Sequence, residues 1–214
     1  MPTDAAAKDD LSNGYEAIAS EFMRRRGESN IGVPTVRRWS RALPSGAAIL
    51  DLGCGHGVPL AMTLIEDGFN VYGIDASPTL TAAFRSRFPQ AHVTCCTVES
   101  SDFFARTFDG VLAIGLIFLL DAEAQRDLIR KVAQALTAGG RFLFTAPRDA
   151  CDWTDVLTGR RSLSLGVEGY EAILMDVGLA VLDEYVDEGD NHYFDASNEQ
   201  HKASTASATA VFVR

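Results

Sequence analysis

The stretch Ile49-Leu50-Asp51-Leu52-Gly53-Cys54-Gly55-His56-Gly57 constrains this chain more than any other. A short apolar run ends in an acid, three glycines follow on alternate positions, and an apolar helical pattern resumes at Leu60. That order spells a buried strand, a tight turn and a helix start. An α/β fold uses this arrangement to present backbone N–H groups to a ligand at the carboxyl end of a strand. Glycines there permit positive φ or close approach of a ligand.

The spacing narrows the ligand. A dinucleotide fingerprint reads G-x-G-x-x-G, whereas these glycines run G-x-G-x-G and Val58 stands where the third would fall. Asp51 would set a carboxylate beside two phosphates, and it suits a cationic ligand better. A second acid, Asp75, closes the next apolar run about 20 residues on, where an acid can accept the hydroxyls of a ribose.

The pattern resembles the class I S-adenosylmethionine-dependent methyltransferases over roughly residues 15 to 195. The resemblance implies S-adenosylmethionine as cofactor, with S-adenosylhomocysteine as product. It sets Asp51 toward the methionine ammonium, Gly53, Cys54 and Gly55 along the methionine, and Asp75 with Ala76 at the ribose. Val98 and Glu99 would bracket the adenine, though Thr97 stands where an acid is common. Ile114 and Gly115 would end the fourth strand beside the cofactor. Tyr15 and Arg25, on a leading helix from Tyr15 to Arg26, would close over it; simple packing of that helix is the competing account.

Bulk properties fit. A chain of 214 residues, 47% hydrophobic, can bury roughly 70% of its extended surface. No apolar run approaches the roughly 20 residues that cross a membrane, and the polar first ten residues do not read as a signal peptide. A net charge of −10 argues against a nucleic-acid partner. The four cysteines and four histidines show no metal-ligand spacing. Reduced thiols in a cytoplasmic protein are expected, with no metal.

Strands alternating with helices imply an α/β three-layer sandwich. By resemblance its seven-stranded sheet is mostly parallel, with an antiparallel last strand and helices on both faces. The expected organisation is a disordered 1–12, one domain over 13–199 and a mobile tail over 200–214, whose end alternates as a further strand would. Within the domain, 13–43 are leading helices, 47–146 the cofactor half and 147–199 the substrate half.

On the substrate side, Phe118 stands in an apolar, aromatic stretch where many relatives carry histidines. The connection 148–165 reads as a binding loop offering Arg148 and Trp153. The last hairpin would bring Tyr193 to the acceptor and His192 as a general base. The expected activity is methyl transfer to a small molecule. Two alternatives remain, an NAD(P)-dependent oxidoreductase and a non-catalytic cofactor-binding module.

Overall fold

A computed structural model describes residues 10–198. Nine strands and six α-helices follow in order: α1 (Ala19–Gly27), α2 (Val33–Ser40), β1 (Ala48–Leu52), α3 (Leu60–Glu66), β2 (Asn70–Asp75), α4 (Pro78–Arg87), β3 (His92–Cys95) and β4 (Phe108–Ala113). Then come α5 (Ala122–Ala135), β5 (Leu136–Thr145), β6 (Ala150–Thr154), β7 (Arg161–Leu165), α6 (Gly166–Asp176), β8 (Ala180–Val186) and β9 (His192–Ser197). Helix starts follow local chemistry. Ser77 accepts from the Leu80 N–H, and Asp121 accepts from the Glu123 and Ala124 N–H groups.

Seven strands form one sheet in the order β3-β2-β1-β4-β5-β9-β8. β9 runs antiparallel to both its neighbours, and the pairings among β1 to β5 are parallel. Every residue of β1 is buried, as a central strand covered on both faces must be. Strand alternation sorts the side chains into two layers. Ile49, Leu112, Leu143 and Tyr193 meet Val36 and Trp39 of α2 and Leu64 of α3. Leu50, Val111, Phe144 and Phe194 meet Leu128 and Val132 of α5 and Tyr170 of α6.

At the end of the expected lead, Asp10 makes definite contacts: it accepts from the Ser12 and Gly14 N–H groups and pairs with Arg160 at 3.2 Å. Two expectations change. The leading helix begins at Ala19 rather than Tyr15, after a run of turns that includes positive φ at Asn13 and Gly14. The 148–165 connection is a β-hairpin, β6 against β7. Its strands were missed because four of β6's five residues are exposed, so it lacks apolar alternation. The expected tail lies outside the described residues.

Candidate functional site

The turn after β1 is built by its neighbours as much as by its glycines. Asp75, at the end of β2, holds the Gly55 N–H at 2.9 Å with one carboxylate oxygen and the Ser77 N–H at 2.8 Å with the other. Gly55 has φ +56°, and a Cβ there would lie 3.2 Å from the Phe22 ring. Gly57 is tighter: at φ +81° its Cβ would come within 2.6 Å of Phe88 and 2.8 Å of Phe84. The third glycine therefore lets α4 pack on the turn.

Asp51 is 5% exposed. Burial raises its carboxyl to about 7, helped by Asp75 and opposed by Arg26. It makes no hydrogen bond or ion pair with a described residue, which is costly for a buried acid. Desolvation also raises Asp75, while its two backbone bonds draw it back.

A cavity of about 390 Å³ opens at the carboxyl ends of β1, β2 and β4. Gly53, Asp75, Ala76, Val98, Glu99, Ile114 and Gly115 form one side. Leu116, Phe118, Leu119 and Leu120 form an apolar wall, backed by Trp153, whose ring lies 5.3 Å from Phe118. Tyr193, Asn191 and Asp187 line it from the last hairpin, and Asp155 and Leu157 from the β6–β7 turn. The segment from Leu11 to Tyr15 covers it, tied by Asp10 to Arg160 and by Glu16 to the α4 start, where Thr79 donates from its hydroxyl at 2.6 Å.

The two tyrosines in the walls hold their protons. Burial, then Asp155 and Asp75, pushes Tyr15 up to about 12. Burial raises Tyr193 too, and its hydroxyl donates to Asp187 at 2.7 Å. Arg26 is lowered by burial, with Tyr193, Asp187 and Asp51 opposing that shift.

Residues 49–140 match the family model described as a methyltransferase domain. The match agrees with the β3-β2-β1-β4-β5-β9-β8 order and the acid–glycine turn already in place. Over those residues the chain is similar to a methyltransferase domain. Aklanonic acid methyltransferase of Streptomyces sp. (strain C5) is 29% identical over 150 residues, 66% of this chain and 63% of its own length. The tRNA (carboxymethyluridine(34)-5-O)-methyltransferase of Mus musculus is 30% identical over 130 residues, 60% of this chain but 18% of its own. The chain thus spans less than two thirds of either relative. Among solved structures, 1,6-didemethyltoxoflavin-N1-methyltransferase of Burkholderia thailandensis, with 1,6-didemethyltoxoflavin and S-adenosylhomocysteine bound, superposes at TM-score 0.73. It is 17% identical and covers 92% of this chain and 91% of its own. At that identity the likeness is one of fold.

Of the site residues expected from sequence, Tyr15, Phe118 and Tyr193 line the cavity together with the seven on the β-strand side. Asp51, Cys54 and Gly55, on the strand end and turn that Gly53 continues, are not among the residues that line it. Burial raises the Cys54 thiol well above its ordinary range, which leaves it an inert packing group.

The structure departs from expectation at four further positions. Arg25 points to solvent and pairs with Glu21 at 2.6 Å, and Arg26 lines the cavity instead. The helical period shows why, since Arg26 stands four residues after Phe22 on the same face. His192 faces away from the cavity. It shares a face of β9 with Phe194, its ring 4.8 Å from that of Phe194, and lies 2.8 Å from Glu184. Burial lowers it, with Glu184 opposing that shift, and it packs on the sheet face away from the cavity. Arg148 is exposed and pairs with that same Glu184 at 2.9 Å. Trp153 supports Phe118 from outside the wall. Asp155 falls in the 148–165 connection that reads as a binding loop from sequence, whereas Leu11 to Asn13 and Asp187 had no sequence signal, because only long-range packing brings them here. Among the described residues no three His, Cys, Asp or Glu side chains group as metal ligands, and no helix is long and apolar enough to cross a membrane.

Proposed function

We propose that this protein binds S-adenosylmethionine in the cavity and transfers its methyl group to a small molecule. The observation that carries the reading is Asp51, a buried carboxylate without a partner beside a glycine turn, where a cationic amine would complete it. Asp75 would hold the ribose while keeping the turn closed through the Gly55 N–H. Val98 and Glu99 would bracket the adenine, and Arg26 would face the methionine carboxylate. The bound cofactor supplies an activated sulfonium methyl group. This chain's part is alignment and exclusion of water. Phe118, Leu119 and Leu157 shape the acceptor side, and the Leu11–Tyr15 segment covers it. Tyr15 and Tyr193 stay protonated near neutrality, so they position the acceptor rather than deprotonate it.

A small acceptor is favoured over RNA on two grounds. The cavity lies at the low end of small-molecule pockets. Arginines of the clusters that would otherwise meet phosphates are answered by acids: Arg24 and Arg25 by Glu21, Arg37 by Asp67, Arg38 by Asp183, Arg160 by Asp10 and Arg161 by Asp152. With a net charge of −10, little basic surface is left for a polyanion. The thiols, free among the described residues, fit a reducing compartment such as the cytoplasm. Calorimetric titration tests the cofactor: S-adenosylhomocysteine should bind saturably below millimolar and NAD should not. Binding of NAD in its place would overturn the reading.

A further inference from the structure

The cavity wall is uneven in charge and in hydrogen-bonding capacity. Asp75, Glu99, Asp155 and Asp187 supply four carboxylates, and Arg26 is the only basic side chain among the described residues that line it. With Asp75 and Glu99 facing the nucleoside, Asp155, Asp187 and Arg26 remain for everything else.

Donors of the last hairpin are already committed, while the Asn13 side-chain amide on the covering segment has no partner among the described residues. Tyr193 gives its hydroxyl proton to Asp187, and the Asn191 side-chain amide donates to the same carboxylate at 2.9 and 3.0 Å. Tyr193 is left with lone pairs and Asn191 with its amide oxygen. One oxygen of Asp155 holds its own turn, accepting from the Leu157 and Thr158 N–H groups at 2.9 and 2.8 Å and from the Thr158 hydroxyl at 3.1 Å. Its other oxygen takes no donor from a described residue. An occupant that brings donors or positive charge would satisfy these acceptors, and an apolar body would meet Ile31, Leu116, Phe118 and Leu157.

We infer that the methyl acceptor is a small, apolar-bodied amine, held through its N–H groups by Asp155, Asn191 and Tyr193. This rests on the cofactor reading above. A carboxylate in the same place would meet two like charges and find one guanidinium, which the cofactor's own carboxylate claims.

The test starts from protein saturated with S-adenosylhomocysteine, whose own affinity is measured first. 2-Phenylethylamine, 2-phenylethanol and phenylacetate are then titrated as matched probes. The amine is expected to bind at least tenfold more tightly than phenylacetate. Its affinity should fall as salt rises while that of the alcohol holds. Asp155→Asn, which keeps the oxygen that closes the turn, should narrow the amine's advantage at least threefold, with its melting temperature checking the fold. The inference is overturned by phenylacetate binding as tightly as the amine, by no binding of the amine, or by an advantage that Asp155→Asn leaves intact. Failure to bind S-adenosylhomocysteine would strike the cofactor reading alone. The three probes would then be titrated into the free protein against the same ranking.

Discussion

Replacing Asp51 with asparagine separates two consequences of one buried charge. In the free protein the carboxyl is raised from 3.8 to about 7 by burial and by Asp75. Between roughly pH 4 and pH 7 the folded chain therefore carries a proton that the unfolded chain has released. Stability falls as pH rises through that window, and above it the full penalty applies, roughly 4 kcal/mol at 1.36 kcal/mol per pH unit. Asp51→Asn removes the charge at nearly constant shape, so the free protein should melt several degrees higher at pH 8. Cofactor binding should move the other way. Only the ionised carboxylate attracts an ammonium, and with a midpoint near 7 roughly nine-tenths of molecules are ionised at pH 8 and one-tenth at pH 6. S-adenosylhomocysteine should accordingly bind the natural protein about tenfold more weakly at pH 6. In Asp51→Asn that dependence should vanish, and affinity at pH 8 should drop by the ~1.5–3 kcal/mol of a hydrogen bond to a charged group. Calorimetry at pH 6, 7 and 8, with thermal melts of the unliganded proteins, reads both effects. A flat pH profile in the natural protein, or an asparagine variant that binds equally well, would refute the role assigned to Asp51.

Two further outcomes follow from where the polar groups lie. His192→Asn should leave the pH profile of methyl transfer unchanged, because His192 packs on Phe194 across the sheet from the cavity; a lost alkaline or acidic limb would restore it as a base. Asp195→Ala should cost about 3–5 kcal/mol in denaturant unfolding, since it strands Arg141 and the Tyr185 hydroxyl, which donates to Asp195 at 2.8 Å; a loss below 1 kcal/mol would show that pair to be solvated.

The first half of the site was legible because its signals are local. An apolar run ending in Asp51, alternating glycines and a second run ending in Asp75 require no distant partner to be read. Ser77 and Asp121 announce helix starts by the same logic, since each caps N–H groups two or three residues away. The acceptor side was read less well. On the leading helix Arg25 was chosen over Arg26, an error of about 100° around the helix. A similar slip of one residue put His192 in the cavity with Tyr193, although adjacent strand residues point to opposite faces.

From its order of residues alone, then, this protein settles that β1 ends in an acid and a bare-backbone turn, and that strands and helices alternate around it. Those features follow from periodicity and from chemistry within a few bonds. What the tertiary structure decided is who meets across the cavity. Asp155 arrives on a hairpin that exposure had hidden, Asp187 by the pairing of β8 with β9, and Leu11 to Asn13 through the reach of Asp10 to Arg160. Such meetings depend on sheet register and long-range closure, where a shift of one position exchanges the face toward the ligand for the face toward the core.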